Sequence, residues 1–92
     1  MFYVYILVSK SDGSLYTGQT KELKQRFGRH NSGYIKSTRH KRPYDLGYFE
    51  MFNTRAEAMW REWEFKTKIS TAQKKKLIAE FDKNLVTSVL GI

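Results

Sequence analysis

The apolar segment from Phe2 to Val8 constrains the fold most, because it runs without polar alternation. Such a run of β-branched, aromatic and aliphatic side chains predicts a central strand buried on both faces. The turn-forming residues Ser11–Ser14 follow it, and Leu15–Gly18 can return as a second strand. The chain is therefore expected to begin with a β-hairpin.

The remainder of the chain predicts helices around a third strand, as in a small α/β (α+β) layer. Thr20 can cap a first helix that ends at Asn31-Ser32-Gly33. The spacings Thr54 to Glu57 and Ser70 to Gln73 are those of capping boxes, which open two further helices. These patterns place helices at 21–30, 54–68 and 70–81, a basic loop at 34–44 and a strand at 46–52.

A chain of 92 residues can form one domain with a single modest core. We expect this domain at residues 1–83 and a tail at 84–92 that is packed on it or frayed. The absence of cysteine excludes a disulfide framework, a thiolate nucleophile and a cysteine-based metal site. The segment Phe2–Val8 is too short for a membrane span and lacks signal-peptide flanks, so a cytoplasmic location is expected.

Positive charge is concentrated in one segment. Residues 21–42 hold eight Lys or Arg against Glu22 alone, which accounts for +7 of the net charge of +8. A solvated surface is one interpretation of such a block, and a phosphate-facing surface is the other. Because the block adjoins candidate catalytic residues, its position favours contact with phosphates.

The predicted hairpin brings two phenols together. A turn centred on Asp12-Gly13 places Tyr16 opposite Ser9, and alternate residues along a strand share a face. Tyrosines also form strands readily and pack in cores, so this proximity has a purely structural interpretation as well. The side chains expected on one face of the sheet are Tyr3, Tyr5, Leu7, Ser9 and Tyr16.

The first helix carries polar residues beside its apolar stripe. Leu23 and Phe27 are four apart and must face the core, and Arg26 and His30 lie on the border of that stripe. An arginine in this position either extends along the core edge or binds a fixed anion. His30 is either a hydrogen-bonded edge residue or a catalytic one.

The second helix carries two apolar stripes, one with Ala56, Met59, Trp60 and Trp63, and the other with Ala58, Phe65 and Ile69. Glu62 falls within the second stripe. A partly buried carboxylate costs several kcal/mol unless a cation accompanies it. Either Arg61 or another base pairs with Glu62, or Glu62 holds a metal ion.

Taken in order, these residues resemble the GIY-YIG nuclease superfamily, and in particular its short stand-alone bacterial members. The resemblance covers about Phe2 to Leu77. Tyr3 replaces the glycine of the first motif, Thr17 replaces the aliphatic residue of the second, and Gln19 stands where some DNA-repair relatives have lysine. The residues that carry the pattern are Tyr3-Val4-Tyr5, Tyr16-Thr17-Gly18, Arg26, His30, Asn31-Ser32-Gly33, Ser37-Thr38-Arg39, Ala58, Arg61-Glu62 and Lys66.

The resemblance implies a three-stranded antiparallel sheet flanked by helices and a metal-dependent endonuclease. Glu62 would hold one divalent ion, Mg²⁺ or Mn²⁺. Arg26 would bind the scissile phosphate. Tyr16, with Tyr5, would orient or deprotonate the attacking water, and His30 is the second candidate for the base.

The basic loop then has an expected partner, nucleic acid, with DNA favoured over RNA and low sequence specificity. A second hypothesis is a nucleic-acid-binding module with little or no cleavage. A monomer is expected, although docking of the apolar tail on a partner or a second copy is a third hypothesis. The residues expected to reach flanking phosphates are Lys36, Arg39, Lys41 and Arg42.

Overall fold

A computed structural model describes residues 1–92 and contains one antiparallel sheet with the strand order β2-β1-β3. The strands are β1 (Phe2–Ser9), β2 (Leu15–Thr20) and β3 (Tyr44–Phe52). β1 is central, as its uninterrupted apolar sequence predicts, and Val4–Leu7 are at most 1% exposed. The predicted three-stranded α+β architecture is confirmed.

The hairpin register differs from the predicted one by two positions. Tyr16 pairs with Leu7 rather than with Ser9. The loop starts earlier because the Ser9 hydroxyl accepts hydrogen bonds from the backbone N–H groups of Ser11 and Asp12, and Gly13 closes the turn with a φ of 76°. A shift of two preserves side-chain parity, so the predicted shared face is retained.

Four helices surround the sheet: α1 (Leu23–Ser32), α2 (Arg55–Thr67), α3 (Thr71–Glu80) and α4 (Lys83–Leu90). Both predicted capping boxes are present, at Thr54 and at Ser70. The prediction that Thr20 caps α1 is wrong, because Thr20 ends β2 and the cap position falls to Glu22. Arg39–Lys41 form a short 3-10 turn within the basic loop.

The helices form two layers, one on each face of the sheet. On one face Leu23 of α1 and Leu90 of α4 join the tyrosine-bearing side of β1 in one buried cluster. On the other face Ala58 and Phe65 of α2 pack against Val4 and Ile6, with α3 beside them. No helix combines the length and hydropathy that a membrane span requires.

The C-terminal residues 84–92 lie largely within α4, which begins at Lys83. Leu90 is 7% exposed and packs in the cluster that contains Tyr5 and Leu7. α4 therefore completes the layer over the tyrosine-bearing face.

Candidate functional site

A chain of buried hydrogen bonds links β1, α1 and the basic loop. The Tyr5 hydroxyl lies 2.8 Å from His30 Nε2, and His30 Nδ1 lies 2.8 Å from the Thr38 hydroxyl. The Thr38 hydroxyl donates to the Ile35 carbonyl, so it accepts from His30. We therefore assign the proton of His30 to Nδ1, which leaves Nε2 to accept a hydrogen bond from Tyr5.

The pKa values of this pair agree with that assignment. Burial, together with the smaller effect of the nearby Arg26 charge, lowers the pKa of His30 to about 4. Burial raises the pKa of Tyr5 to about 12, against an opposing effect of the Arg26 guanidinium. Near neutral pH, His30 is therefore uncharged and Tyr5 keeps its proton.

Tyr16 lies beside this pair but is less enclosed. Its ring centroid is 5.0 Å from that of His30 and 6.4 Å from that of Tyr5. The predicted proximity of the two phenols is therefore observed, although in the shifted register. Tyr16 is partly exposed, whereas Tyr5 is 1% exposed, so Tyr16 is the phenol that solvent can reach.

Gly18 has no side chain, and this leaves space for the Tyr5 hydroxyl group to lie over β2. A Cβ atom at Gly18 would lie 2.6 Å from the hydroxyl oxygen of Tyr5 and 2.8 Å from its Cζ. Both distances are shorter than real Cβ contacts, so any side chain here would displace the Tyr5 ring. The glycine of the second motif thus keeps Tyr5 in reach of His30.

Substitution of Gly18 by alanine is expected to lower the free energy of unfolding by about 1–3 kcal/mol, the usual cost of overpacking a core. The buried Tyr5 ring has little space in which to move. Urea denaturation measures the change. Gly28→Ala is the matched control, because a Cβ at Gly28 meets nothing within 4 Å, and it should stabilise α1 by about 0.5–1 kcal/mol. A Gly18→Ala protein as stable as the wild type would contradict this account of Gly18.

Arg26 has no ion-pair partner, and its buried Nε atom makes no hydrogen bond. Only one other buried side-chain polar atom lacks a partner, Oε1 of Gln19. A buried donor left without an acceptor costs about 1–3 kcal/mol. The guanidinium also lies close enough to Tyr5 and His30 to alter both pKa values. Arg26 is therefore suited to bind an anion beside them.

Glu62 on α2 is paired with Lys66, whose Nζ lies 3.0 Å from Glu62 Oε2. The base that pairs with Glu62 is therefore Lys66 and not Arg61, because Arg61 binds Glu50 through two nitrogens, at 2.8 and 3.1 Å, and also approaches Glu64. The negative charge of Glu62 contributes to the raised pKa of Tyr5, so it acts on the same site.

The residues around Glu62 fit a cation with few protein ligands. No group of three or more His, Cys, Asp or Glu side chains is assembled anywhere in the structure. Glu62 retains one carboxylate oxygen beyond the lysine pair, and Lys66 is 53% exposed in its side chain. One carboxylate with water and substrate oxygens suits Mg²⁺, which keeps much of its hydration shell.

The four predicted phosphate-binding residues of the basic loop are all exposed. Lys41 Nζ lies 3.6 Å from Asp12, so part of its charge is matched within the chain. The guanidinium of Arg42 packs against Gly33. Lys36 and Arg39 form no ion pair and are the freer cations of the loop.

Asn31 anchors both ends of this loop. Its amide accepts from the Tyr44 backbone N–H at 2.6 Å and donates to the Tyr44 carbonyl at 3.1 Å. The Tyr44 hydroxyl in turn donates to the carbonyl of Thr38 at 2.9 Å. The sequence did not predict that Asn31 and Thr38 hold this loop in place, because each acts through a partner that is distant along the chain.

Comparison with known proteins agrees with the fold and the motif order. Residues 1–76 match the model of the GIY-YIG catalytic domain. A UPF0213 protein of Staphylococcus saprophyticus is 49% identical over 79 residues, covering 85% of this chain and 94% of that protein. A UPF0213 protein of Staphylococcus aureus strain Mu3 is 50% identical over 80 residues, with the same coverage.

A solved structure is also similar. The solution NMR structure of the UPF0213 protein BH0048 from Bacillus halodurans shares 41% identity with this chain at a TM-score of 0.53. The similarity covers 86% of this chain and 84% of that one. The match extends over most of both chains, so the sheet and the helices that carry the candidate site are shared features.

Proposed function

This chain belongs to the GIY-YIG catalytic domain family, and on that premise we propose that it hydrolyses phosphodiester bonds in nucleic acid with one divalent cation. The observation that carries the proposal is the buried Nε donor of Arg26, which has no hydrogen-bond partner and belongs to a guanidinium beside the Tyr5–His30 pair. A phosphate oxygen is the acceptor that this donor lacks. Binding there would place the scissile group next to both phenols.

In this mechanism Arg26 binds the scissile phosphate and stabilises the charge that develops on it. Tyr16 orients the attacking water, because it is the phenol that solvent reaches. The Tyr5 hydroxyl donates a hydrogen bond to neutral His30 and keeps its proton, so these two residues act as positioning residues for Tyr16 and Arg26. Thr38 keeps His30 in the tautomer that accepts from Tyr5.

Glu62 would hold the cation, Mg²⁺ or Mn²⁺, together with water and phosphate oxygens. When bound, the cation supplies Lewis-acid stabilisation of negative charge on the phosphate. Lys66 tethers one oxygen of the carboxylate and so orients the other. Support for this role comes from the chemistry of the donor alone, since Glu62 offers one carboxylate oxygen that Lys66 does not bind.

The substrate is expected to be DNA rather than RNA, bound with low sequence specificity through its backbone. Lys36 and Arg39 are exposed and unpaired, so they can contact phosphates that flank the cleavage point. Phosphate contacts position a nucleic acid without reading its sequence. Binding should therefore weaken steeply as salt is raised.

Nicking of supercoiled plasmid in a Mg²⁺ titration tests this proposal. For Glu62→Gln we expect the Mg²⁺ concentration at half-maximal nicking to rise at least about tenfold, the scale seen when partners of metal ligands are lost. Glu80→Gln removes the same charge from an exposed position on α3 and should behave as wild type. The same Mg²⁺ dependence in the wild type, Glu62→Gln and Glu80→Gln proteins would show that Glu62 does not hold the cation.

A second function is favoured by one observation. Tyr5 is held by His30 with its pKa raised to about 12, which makes it a poor base near neutral pH. A module that binds nucleic acid without cutting it would tolerate such a tyrosine. Retention of labelled DNA with no nicking in Mg²⁺ or Mn²⁺ would favour this alternative over hydrolysis.

A further inference from the structure

One face of α2 exposes a group of large apolar side chains that we call the tryptophan platform: Ala56, Met59, Trp60 and Trp63. Met59 is 52% exposed, Trp60 63% and Trp63 43%. The two indole rings lie side by side, with centroids 5.0 Å apart and planes inclined by 30°. A cluster of exposed aromatic side chains indicates a binding surface for a ligand or a macromolecule.

Packing within the chain does not explain the platform. α2 already contributes Ala58 and Phe65 to the core, and both are fully buried. The platform is the apolar stripe of α2 that is rotated away from the sheet. Glu62 lies between Trp60 and Trp63 in sequence but falls on the other stripe, because residues one or two apart on a helix do not face each other. The platform is thus a separate face of the helix that carries Glu62.

The charge around the platform indicates the chemistry of its occupant. Lys68 Nζ lies 5.5 Å from the Trp63 ring centroid, and Lys66 is one turn beyond Glu62. A polyanion with flat apolar groups matches both the cations and the indoles, and a nucleic-acid strand has that composition.

A second copy of the chain fits this surface less well. A stable interface of standard size draws about 20–30 residues from each partner. The platform consists of four residues, and two chains that each carry +8 repel one another.

In duplex DNA the bases are stacked on one another, so the indoles require bases that are unpaired. We propose that Trp60 and Trp63 stack against unpaired bases of single-stranded nucleic acid, on the same helix that carries Glu62. This inference rests on the proposed function for the class of partner but not on cleavage itself. It implies that substrates with single-stranded segments, such as flaps or gaps, bind better than uniform duplex. Stacking on aromatic side chains is worth about 1–3 kcal/mol per base.

Intrinsic fluorescence tests the platform directly, because Trp60 and Trp63 are the only tryptophans of the chain. Titration with oligothymidylate in EDTA, which prevents metal-dependent cleavage, is expected to quench the emission. An abasic oligonucleotide of equal length has the same phosphates and should quench far less. Equal quenching by the two oligonucleotides would overturn the proposal.

Anisotropy of labelled oligothymidylate gives a second readout with variants. A Trp60→Ala, Trp63→Ala protein should bind at least about tenfold more weakly, since two stacked bases are lost. The Trp60→Phe, Trp63→Phe protein keeps flat rings and should bind nearly as wild type. Circular dichroism and urea denaturation establish that each variant is folded. Unchanged binding by a folded double-alanine protein would refute stacking.

These outcomes separate the platform from the proposed hydrolysis. Base-dependent quenching in a protein that never nicks plasmid would support the platform and refute the nuclease. Normal plasmid nicking, together with unchanged oligonucleotide binding by the double-alanine protein, would support the nuclease and refute the platform. Self-association of the wild type that disappears in the double-alanine protein, without base-dependent quenching, would assign the platform to a second copy and overturn the proposal.

Discussion

Replacing Arg26 with alanine is expected to lower the rate of plasmid nicking by about a hundred- to a thousandfold, the usual effect of removing one preorganised donor to a developing oxyanion. The buried Nε atom of this guanidinium has no hydrogen-bond acceptor within the protein, so that donor is available to the phosphate. The rate at saturating DNA, measured with Mg²⁺ in excess, isolates this effect from binding.

Two companion variants sharpen the result. Arg29→Ala removes the same charge from the same helix, but Arg29 is exposed and lies over the Tyr34 ring, so its nicking rate should stay close to wild type. Arg26→Lys keeps the charge and loses the forked donor, and we expect an intermediate rate. Comparable losses for Arg26→Ala and Arg29→Ala would mean that Arg26 contributes only bulk charge.

Acidification is expected to destabilise the protein through His30. The pKa of His30 falls from an ordinary 6.5 to about 4 on folding, so the unfolded chain binds the proton more tightly. The contribution of His30 to the free energy of unfolding is fully present above pH 6.5, is lost as the pH falls from 6.5 to 4, and changes no further below 4. A shift of this size corresponds to about 3 kcal/mol.

Urea denaturation between pH 7.5 and pH 4 measures this decline. The His30→Gln protein should lose the part of the pH dependence that His30 causes, whatever its stability at pH 7. The His40→Gln protein keeps His30 and should retain that part. In the His40→Gln protein His30 is the only histidine, so NMR of its ring follows the titration directly. A His30 midpoint near 6.5 in the folded protein would contradict the buried neutral pair with Tyr5.

Features encoded by neighbouring residues could be predicted from the sequence. The central position of β1 follows from its unbroken apolar run, and the starts of α2 and α3 follow from capping boxes that span four residues. Gly33 ends α1 with a φ of 82°, as a C-terminal glycine should. The shared face of Tyr5 and Tyr16 was predictable because it depends only on parity.

Features set by tertiary contacts could not be predicted in the same way. The hairpin register depended on the Ser9 side chain, which caps the loop from within the strand. α2 has two apolar stripes of similar composition, and only packing on Val4 and Ile6 determines which one is buried. The pairing of Glu62 with Lys66 rather than Arg61 follows from that rotation, since Arg61 then reaches Glu50.

The amide of Asn31 makes the basic loop tolerant of sequence change. It joins the end of α1 to the start of β3 at Tyr44 and so fixes the two stems of the loop. Lys36 and Arg39, which form no ion pair, take no part in this junction. The charge that the loop presents can therefore change at these two positions while the sheet, the helices and the Tyr5–His30 pair stay in place.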